Sequence, residues 1–429
     1  MNKSTASAGT LAALALCIFM LVIFDMIGPL GWQIPQTDLT GDYLFGVLWS
    51  FLLGLSIFVW PVGSFDRRNL IVAWIARCMV TLVVMLAYEN FNGIDSFWYF
   101  EQSTRSIPGD WSAFKLGEGT TNVMVLARYH ANFLPDSFHM MKVSFSMVGF
   151  IATYLLYRAA ALFLKREDIR VFFVLALFPS MIFWSSTLGK DPLTLLGIAV
   201  YAYGVSAWYA TSQPRFLIVM LLGTWLAMSF RIWLGPILLA PLAVFVLSRM
   251  RSPLSKLIFT GIIAGAFFYV GGKFQEQFNI ESSQDLVTTI EGRTRSSSWT
   301  GNTSVGSARS FTSVGQLITF LPLGAFTALF RPLPGEMFSA FGILAGLENS
   351  ILLLLLFQAI RRTRMSELKD PRVLWALTLI LTWSSIYGFI SYRNLGAAVR
   401  FRLQILPVLL CTLLYLRRDR RLEASLVQK

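Results

Sequence analysis

The stretch Gly342-Ile343-Leu344-Ala345-Gly346-Leu347-Glu348-Asn349-Ser350-Ile351-Leu352-Leu353-Leu354-Leu355-Leu356-Phe357-Gln358-Ala359-Ile360-Arg361-Arg362-Thr363-Arg364 decides the fold class. Its apolar residues run on without alternating, which fits a helix and not the period-two strand of a membrane barrel. A lipid-buried backbone must satisfy its polar groups within the helix. The run stops at Arg361, and Arg362, Arg364, Lys369 and Arg372 follow within one loop. The rest of the chain repeats this alternation of apolar runs and short basic clusters. Hydrophobic residues make up 55% of the sequence and charged residues only 14%, against about 25% charged in soluble domains. Such a chain cannot cover a water-facing surface, so the expected class is all-α: a polytopic transmembrane helical bundle.

Reading outward from that stretch gives expected spans near 9–30, 43–62, 70–88, 138–162, 170–187, 193–209, 216–230, 233–248, 257–272, 338–360, 373–391 and 403–416, about twelve in all at the length a bilayer requires. The first follows Met1-Asn2-Lys3, is long for a signal-peptide core and lacks a small-residue cleavage pattern, so it is expected to remain as a span. The net charge of +13 would suggest nucleic acid in a soluble protein. Here the basic residues sit between apolar runs, as the positive-inside rule requires, and no nucleic-acid partner is expected. Placing Arg67, Arg68, Lys165, Arg166, Arg170, Arg215, Arg249, Arg251, Lys256, the 361–372 cluster and Arg417 to Arg421 inside leaves no comparably dense basic cluster outside. Both termini are then cytoplasmic. Segment 314–330, broken by Pro322 and Gly324, is expected to be re-entrant or interfacial, because a full span there would turn the 361–372 loop outward. Two large outer loops result, 89–137 and 273–337, the second holding a polar stretch around 296–304 with the sequon Asn302-Thr303-Ser304.

Candidate chemistry collects on the outer side. Asp95 opens the first loop beside Phe97, Trp98 and Tyr99; a carboxylate there could act as a general base, its neighbours stacking on a sugar or anchoring the interface. Lys190 and Asp191 occupy a short outer hairpin before Pro192. Lys190 is a candidate phosphate ligand, while Asp191-Pro192 also reads as a helix start. Arg128, Arg231, Arg293, Arg295, Arg309, Arg331, Arg393, Arg400 and Arg402 populate the side that the rule depletes of charge. Guanidinium forks there suit phosphate oxygens, or alternatively touch lipid headgroups and pair with Glu276, Glu281, Asp285 or Glu291. Glu348 and Arg77 are intramembrane polar candidates, Arg77 being one conceivable partner of Glu348. Cys17, Cys78 and Cys411 fall inside apolar runs, and His130 and His139 are the only histidines. No clear metal-ligand set emerges, and the cofactor, a divalent metal included, is left open.

The ordered motifs Asp95 to Tyr99, Tyr154-Leu155-Leu156-Tyr157-Arg158, Phe178-Pro179-Ser180, Trp184 and Gly189-Lys190-Asp191 resemble those of the GT-C class of integral membrane glycosyltransferases and related bacterial surface-polysaccharide assembly proteins. Phe330-Arg331-Pro332-Leu333-Pro334-Gly335-Glu336 and Arg400-Phe401-Arg402-Leu403 look similar to segments of the latter. The resemblance covers roughly residues 88–210 and, more loosely, 315–410. It implies glycosyl transfer at the outer face of the bacterial cytoplasmic membrane, from a polyprenyl-phosphate- or diphosphate-linked sugar to a glycan or lipid acceptor, alongside other polysaccharide-assembly proteins. Asp95 would be the base or substrate organiser, Lys190 and Asp191 would lie near the phosphate, and the late arginines would hold it. Two spans precede the loop that follows the first span in that class, and Asp95 is followed by Ser96 rather than a second acid. Wzy-type polymerases, also arginine-rich on their outer loops, are the near alternative. A transporter would need midplane polar groups and two similar halves; a non-catalytic subunit of an export complex would use its loops as contacts only.

Overall fold

A computed structural model describes residues 23–250, 252–298 and 310–418. Every regular element among them is helical. Among the described residues, seven helices are long and apolar enough to cross a membrane, or eight if the bent pair Leu395–Arg402 and Leu406–Leu416 counts as one span. The protein is therefore a multi-pass membrane protein. The first expected span lies outside the described residues except for its end, the short helical turns Ile23–Met26 and Ile27–Leu30.

The helices are α1 (Leu39–Ser56), α2 (Ser64–Phe91), α3 (Asp95–Arg105), α4 (Gly119–Phe133), α5 (Phe138–Leu164), α6 (Ile169–Leu177), α7 (Pro179–Trp184), α8 (Lys190–Thr211) and α9 (Arg215–Phe230). They continue with α10 (Leu234–Arg249), α11 (Pro253–Phe278), α12 (Ser283–Ser298), α13 (Val314–Phe330), α14 (Ala340–Arg362), α15 (Pro371–Ser391), α16 (Leu395–Arg402) and α17 (Leu406–Leu416). Several expected spans emerge shorter than a bilayer requires. The run 170–187 is divided into α6 and α7 at Phe178-Pro179, where Phe178 is extended (φ −60°, ψ 120°) and Pro179 opens the second piece. Proline pushes its predecessor out of the helical region and is suited to a first turn. Helices α9 and α10 have 16 residues each and α13 has 17. The expected first outer loop is largely the helices α3 and α4, and the second contains α12 and α13. The sequon and Arg309 lie outside the described residues.

The chain forms two compact units, the first comprising Met1–Arg158, Asp168–Ala202 and Leu221–Arg231, the second comprising Ala159–Glu167, Tyr203–Met220 and Ile232–Lys429. In the first, α8 and α9 touch backbone to backbone. A Cβ on Gly197 would lie 2.5 Å from the Ala227 amide nitrogen, and one on Gly223 would lie 2.4 Å from that of Tyr201. Small residues at helix contacts let membrane helices gain dispersion contacts that lipid tails otherwise supply. In the second unit, α13 meets α15 the same way, with Gly388 placed so that a Cβ would fall 2.6 Å from the Gly324 carbonyl carbon. Beside that contact Phe311, Phe320, Phe389 and Tyr392 form an aromatic cluster over Val287 and Ile290 of α12. Farther along α15, Trp383 and Tyr387 stack at 4.5 Å, and their polar edges are satisfied by Gln404 and Trp233.

Candidate active site

Within the first unit, three helix beginnings converge. Helix α3 starts at Asp95, which is exposed, and the next residue, Ser96, is buried and donates to the Leu188 carbonyl at 2.7 Å. That bond fixes the start of α3 against the turn that delivers Gly189, Lys190 and Asp191. Tyr99, one turn on, is buried; its ring edge lies 3.8 Å from where a Cβ on Gly189 would be. Lys190 opens α8 and donates from Nζ to Thr120 Oγ1, on the first turn of α4, at 2.5 Å. The start of α4 is held by α9: Asn122 Nδ2 donates to the Ser229 and Lys115 carbonyls, both at 2.7 Å. Gly119 makes this docking possible, since a Cβ there would sit 1.9 Å from the Phe230 carbonyl oxygen. Asp191 is fully buried and paired with Arg231 at 3.0 Å, just past the end of α9.

The structure thus gathers Asp95, Lys190, Asp191 and Arg231, candidates separated by up to 136 positions in sequence. Helix N-termini carry roughly half a positive charge each; here each start also carries an acid, Asp95, Glu118 and Asp191, and Lys190 is the cation that opens α8 among them. Arg231 has a defined job already, neutralising Asp191. Arg128 lies just over two turns beyond Thr120 on α4, about 12 Å away at a helical rise of 1.5 Å per residue, and acts on Asp136 instead. Burial pushes the Asp136 carboxyl up and the nearby Asp42 pushes it further, while Arg128 opposes both.

Arg77 is completely enclosed in α2, three residues before the π-helical turn Val80–Val84. Its guanidinium donates to the Ser146 and Ser185 carbonyls, each at 3.2 Å, and to Thr153 Oγ1 at 3.3 Å. The Ser185 bond ties it to the turn that carries Lys190. Its hydrogen-bond partners all belong to its own unit, and Glu348 is not among them.

The late arginines belong to the second unit. Arg402 is buried and donates to the Ala328 carbonyl at 3.1 Å, to Asn349 Oδ1 and to the Arg331 carbonyl. Glu348 is buried within electrostatic reach of Arg402. Arg331 pairs with Glu336 at 2.6 Å. Burial raises the Glu336 carboxyl, but Arg331 and the Leu333 amide outweigh it and hold the group below the usual range. Arg393 and Arg295 both bind Glu291 Oε1 at 2.9 Å. There, too, burial is outweighed, by the Phe311 amide and the two guanidiniums, so the carboxyl sits low. The ion-pair reading therefore accounts for Arg295, Arg331 and Arg393, and backbone and amide oxygens account for Arg402. Arg400 is half-buried in α16, and Arg293 lies in α12.

Sequence reading missed a second charged cluster in the first unit. The start of α1, the end of α2 and the start of α5 meet around Asp42, Glu89, His139 and Lys142, all nearly or wholly enclosed. His139 Nδ1 and Asp42 Oδ2 are 2.5 Å apart, and Lys142 Nζ donates to Glu89 Oε2 at 2.7 Å. Glu89 looked like a loop residue because α2 was expected to end a turn earlier. The available signal was Lys142, a cation inside an apolar run, which needs a counter-charge. Among the described residues, no three His, Cys, Asp or Glu side chains gather as a metal site would require. No known family, curated protein or solved structure matches the chain.

Proposed function

We propose that this protein is an integral membrane glycosyltransferase that works at the outer face of the bacterial cytoplasmic membrane on polyprenyl-phosphate- or diphosphate-linked sugars, in cell-surface polysaccharide or glycoconjugate biosynthesis. The observation that supports it best is that the starts of α3, α4 and α8, which carry Asp95, Thr120 and Lys190, are tied together by the Ser96–Leu188 and Lys190–Thr120 bonds. Such a site suits a leaving phosphate next to a base. Asp95 takes the proton of the acceptor hydroxyl, whose oxygen forms the new bond to the anomeric carbon. The bond from that carbon to the phosphate oxygen breaks, and the charge appearing on the phosphate is met by Lys190 and the helix ends. Arg231 holds Asp191 and so the start of α8. The reading includes about twelve membrane segments, of which seven or eight among the described residues have bilayer length, and cytoplasmic termini, which follow from the positive-inside pattern.

A repeat-unit polymerase of the Wzy type is the second reading, supported by the arginine-dense segment Arg393 to Arg402. Deletion of the protein and analysis of lipid-linked glycans tests both. A glycan lacking one sugar points to the transferase; accumulated single repeat units on lipid diphosphate point to the polymerase. An unchanged profile overturns both and leaves a transporter or a non-catalytic subunit.

A further inference from the structure

In the second unit, three cations surround one tyrosine ring. Arg372, Arg249 and Lys165 lie 4.7, 4.8 and 6.0 Å from the centroid of Tyr209, which sits in the last turn of α8. They come from different elements: Lys165 follows α5, Arg249 ends α10 and Arg372 begins α15. Arg372 is buried and fully engaged, by Asp370 at 2.7 Å, the Phe163 carbonyl at 2.6 Å and the Tyr415 hydroxyl at 3.0 Å. Lys165 is exposed and Arg249 half-buried. Arg249 donates to Ser212 Oγ at 3.0 Å, and among the described residues neither Lys165 nor Arg249 has a carboxylate within ion-pair distance. Helix C-terminal dipoles attract single cations, but that does not account for three of them sharing one ring with Asp370 as the carboxylate that Arg372 engages.

An apolar stripe begins five residues beyond Arg249. On α11, which packs against α10, Leu254, Leu257, Ile258 and Ile262 are 66, 71, 56 and 62% exposed, at helical spacing. A cluster of cations at the head of an exposed apolar helix matches the two parts of a phospholipid: a fork and an ammonium for phosphodiester oxygens, and a surface for acyl chains. Lys165 and Arg249 also belong to the basic loops that the sequence assigns to the cytoplasmic side, where anionic headgroups are bound. We propose that Lys165 and Arg249, held beside Arg372 around the Tyr209 ring, form a binding site for the headgroup of an anionic phospholipid. This site is independent of the transfer chemistry and can be tested without it.

The test uses the full-length protein, delipidated in detergent, with binding read by native mass spectrometry and by thermal midpoint. Phosphatidylglycerol is expected to bind and raise the midpoint, while phosphatidylcholine and inorganic phosphate do not. Lys165→Gln and Arg249→Gln should each weaken phosphatidylglycerol binding about tenfold, the loss of one charge-assisted contact, and Arg249→Lys should retain part of it. Lys165 is exposed, so its variant keeps the test valid even if changes at Arg249 impair folding. Equal response to phosphatidylcholine, equal response to inorganic phosphate, or undiminished binding by the Lys165→Gln variant overturns the proposal.

Discussion

Replacing Lys142 by Met removes the counter-charge of Glu89, a carboxylate only 1% exposed. The bond broken is 2.7 Å long, and Glu89 Oε1 already has no hydrogen-bond partner among the described residues. A buried charge stripped of its partner costs about 3–5 kcal/mol. An exposed pair such as Lys273–Glu276, whose side chains are 45 and 70% exposed, contributes little because solvent screens it. The two substitutions therefore separate cleanly. At about 2–4 °C per kcal/mol for a unit of roughly 200 residues, Lys142→Met should lower the thermal midpoint in detergent by on the order of 10 °C, and Lys273→Met by no more than about 4 °C. The double variant Glu89→Gln with Lys142→Met removes both charges at nearly constant volume and should recover most of the loss, because a neutral replacement of a buried pair is often harmless. A Lys142→Met midpoint within about 4 °C of wild type, or a double variant as unstable as the single, would refute the claim that the Lys142–Glu89 pair holds α2 against α5.

Three further outcomes follow from the same geometry. Burial pushes the His130 imidazole down to about 4, and Glu291 is held below the usual carboxylate range of about 4.3. Both contributions are complete above the unfolded-chain pKa and fade as pH falls toward the folded one. The midpoint should therefore drop first between about pH 6.5 and 4, an arm that His130→Gln makes shallower, and again below about pH 4.3, an arm that Glu291→Gln makes shallower and Glu336→Gln reduces further. Gly119→Ala places a Cβ 1.9 Å from the Phe230 carbonyl oxygen and must displace the start of α4 from Lys190. Glycan formation should fall about a hundredfold, the scale of a misplacement of one ångström, while Gly261→Ala, which meets nothing within 4 Å, leaves it unchanged. Gly388→Val, at the contact of α13 with α15, should cost about 1–3 kcal/mol of overpacking, read as a lower midpoint.

The class of the protein was legible because composition and apolar run length are properties of the solvent the chain meets. Individual spans were less so. Hydropathy registers the run 170–187 as continuous, yet Pro179 divides it, and α9 and α10 fall short because a turn costs residues that remain apolar. Residues 89–137 read as a loop because their helices α3 and α4 bury only one face. Asp95, Lys190, Asp191 and Arg231 were each visible as charges beside spans, but their meeting depends on Gly119 and Asn122, whose roles exist only against α9. The arginine bias was visible as well. What it could not reveal is that Glu291, Glu336 and Asn349 occupy Arg393, Arg331 and Arg402, since those partners lie between 5 and 102 positions away. The Asp42–His139 and Lys142–Glu89 pairs were hidden for the same reason, each joining spans that are distant in sequence.

The most direct test of the proposed chemistry is the profile of lipid-linked glycans in cells whose own copy carries Asp95→Asn, with protein abundance matched to wild type. Asp95 is exposed at the start of α3, and the change to asparagine removes the proposed base at nearly constant volume. The account predicts that a polyprenyl-phosphate- or diphosphate-linked intermediate accumulates and the mature glycan is lost. A wild-type glycan profile at full protein abundance would contradict it.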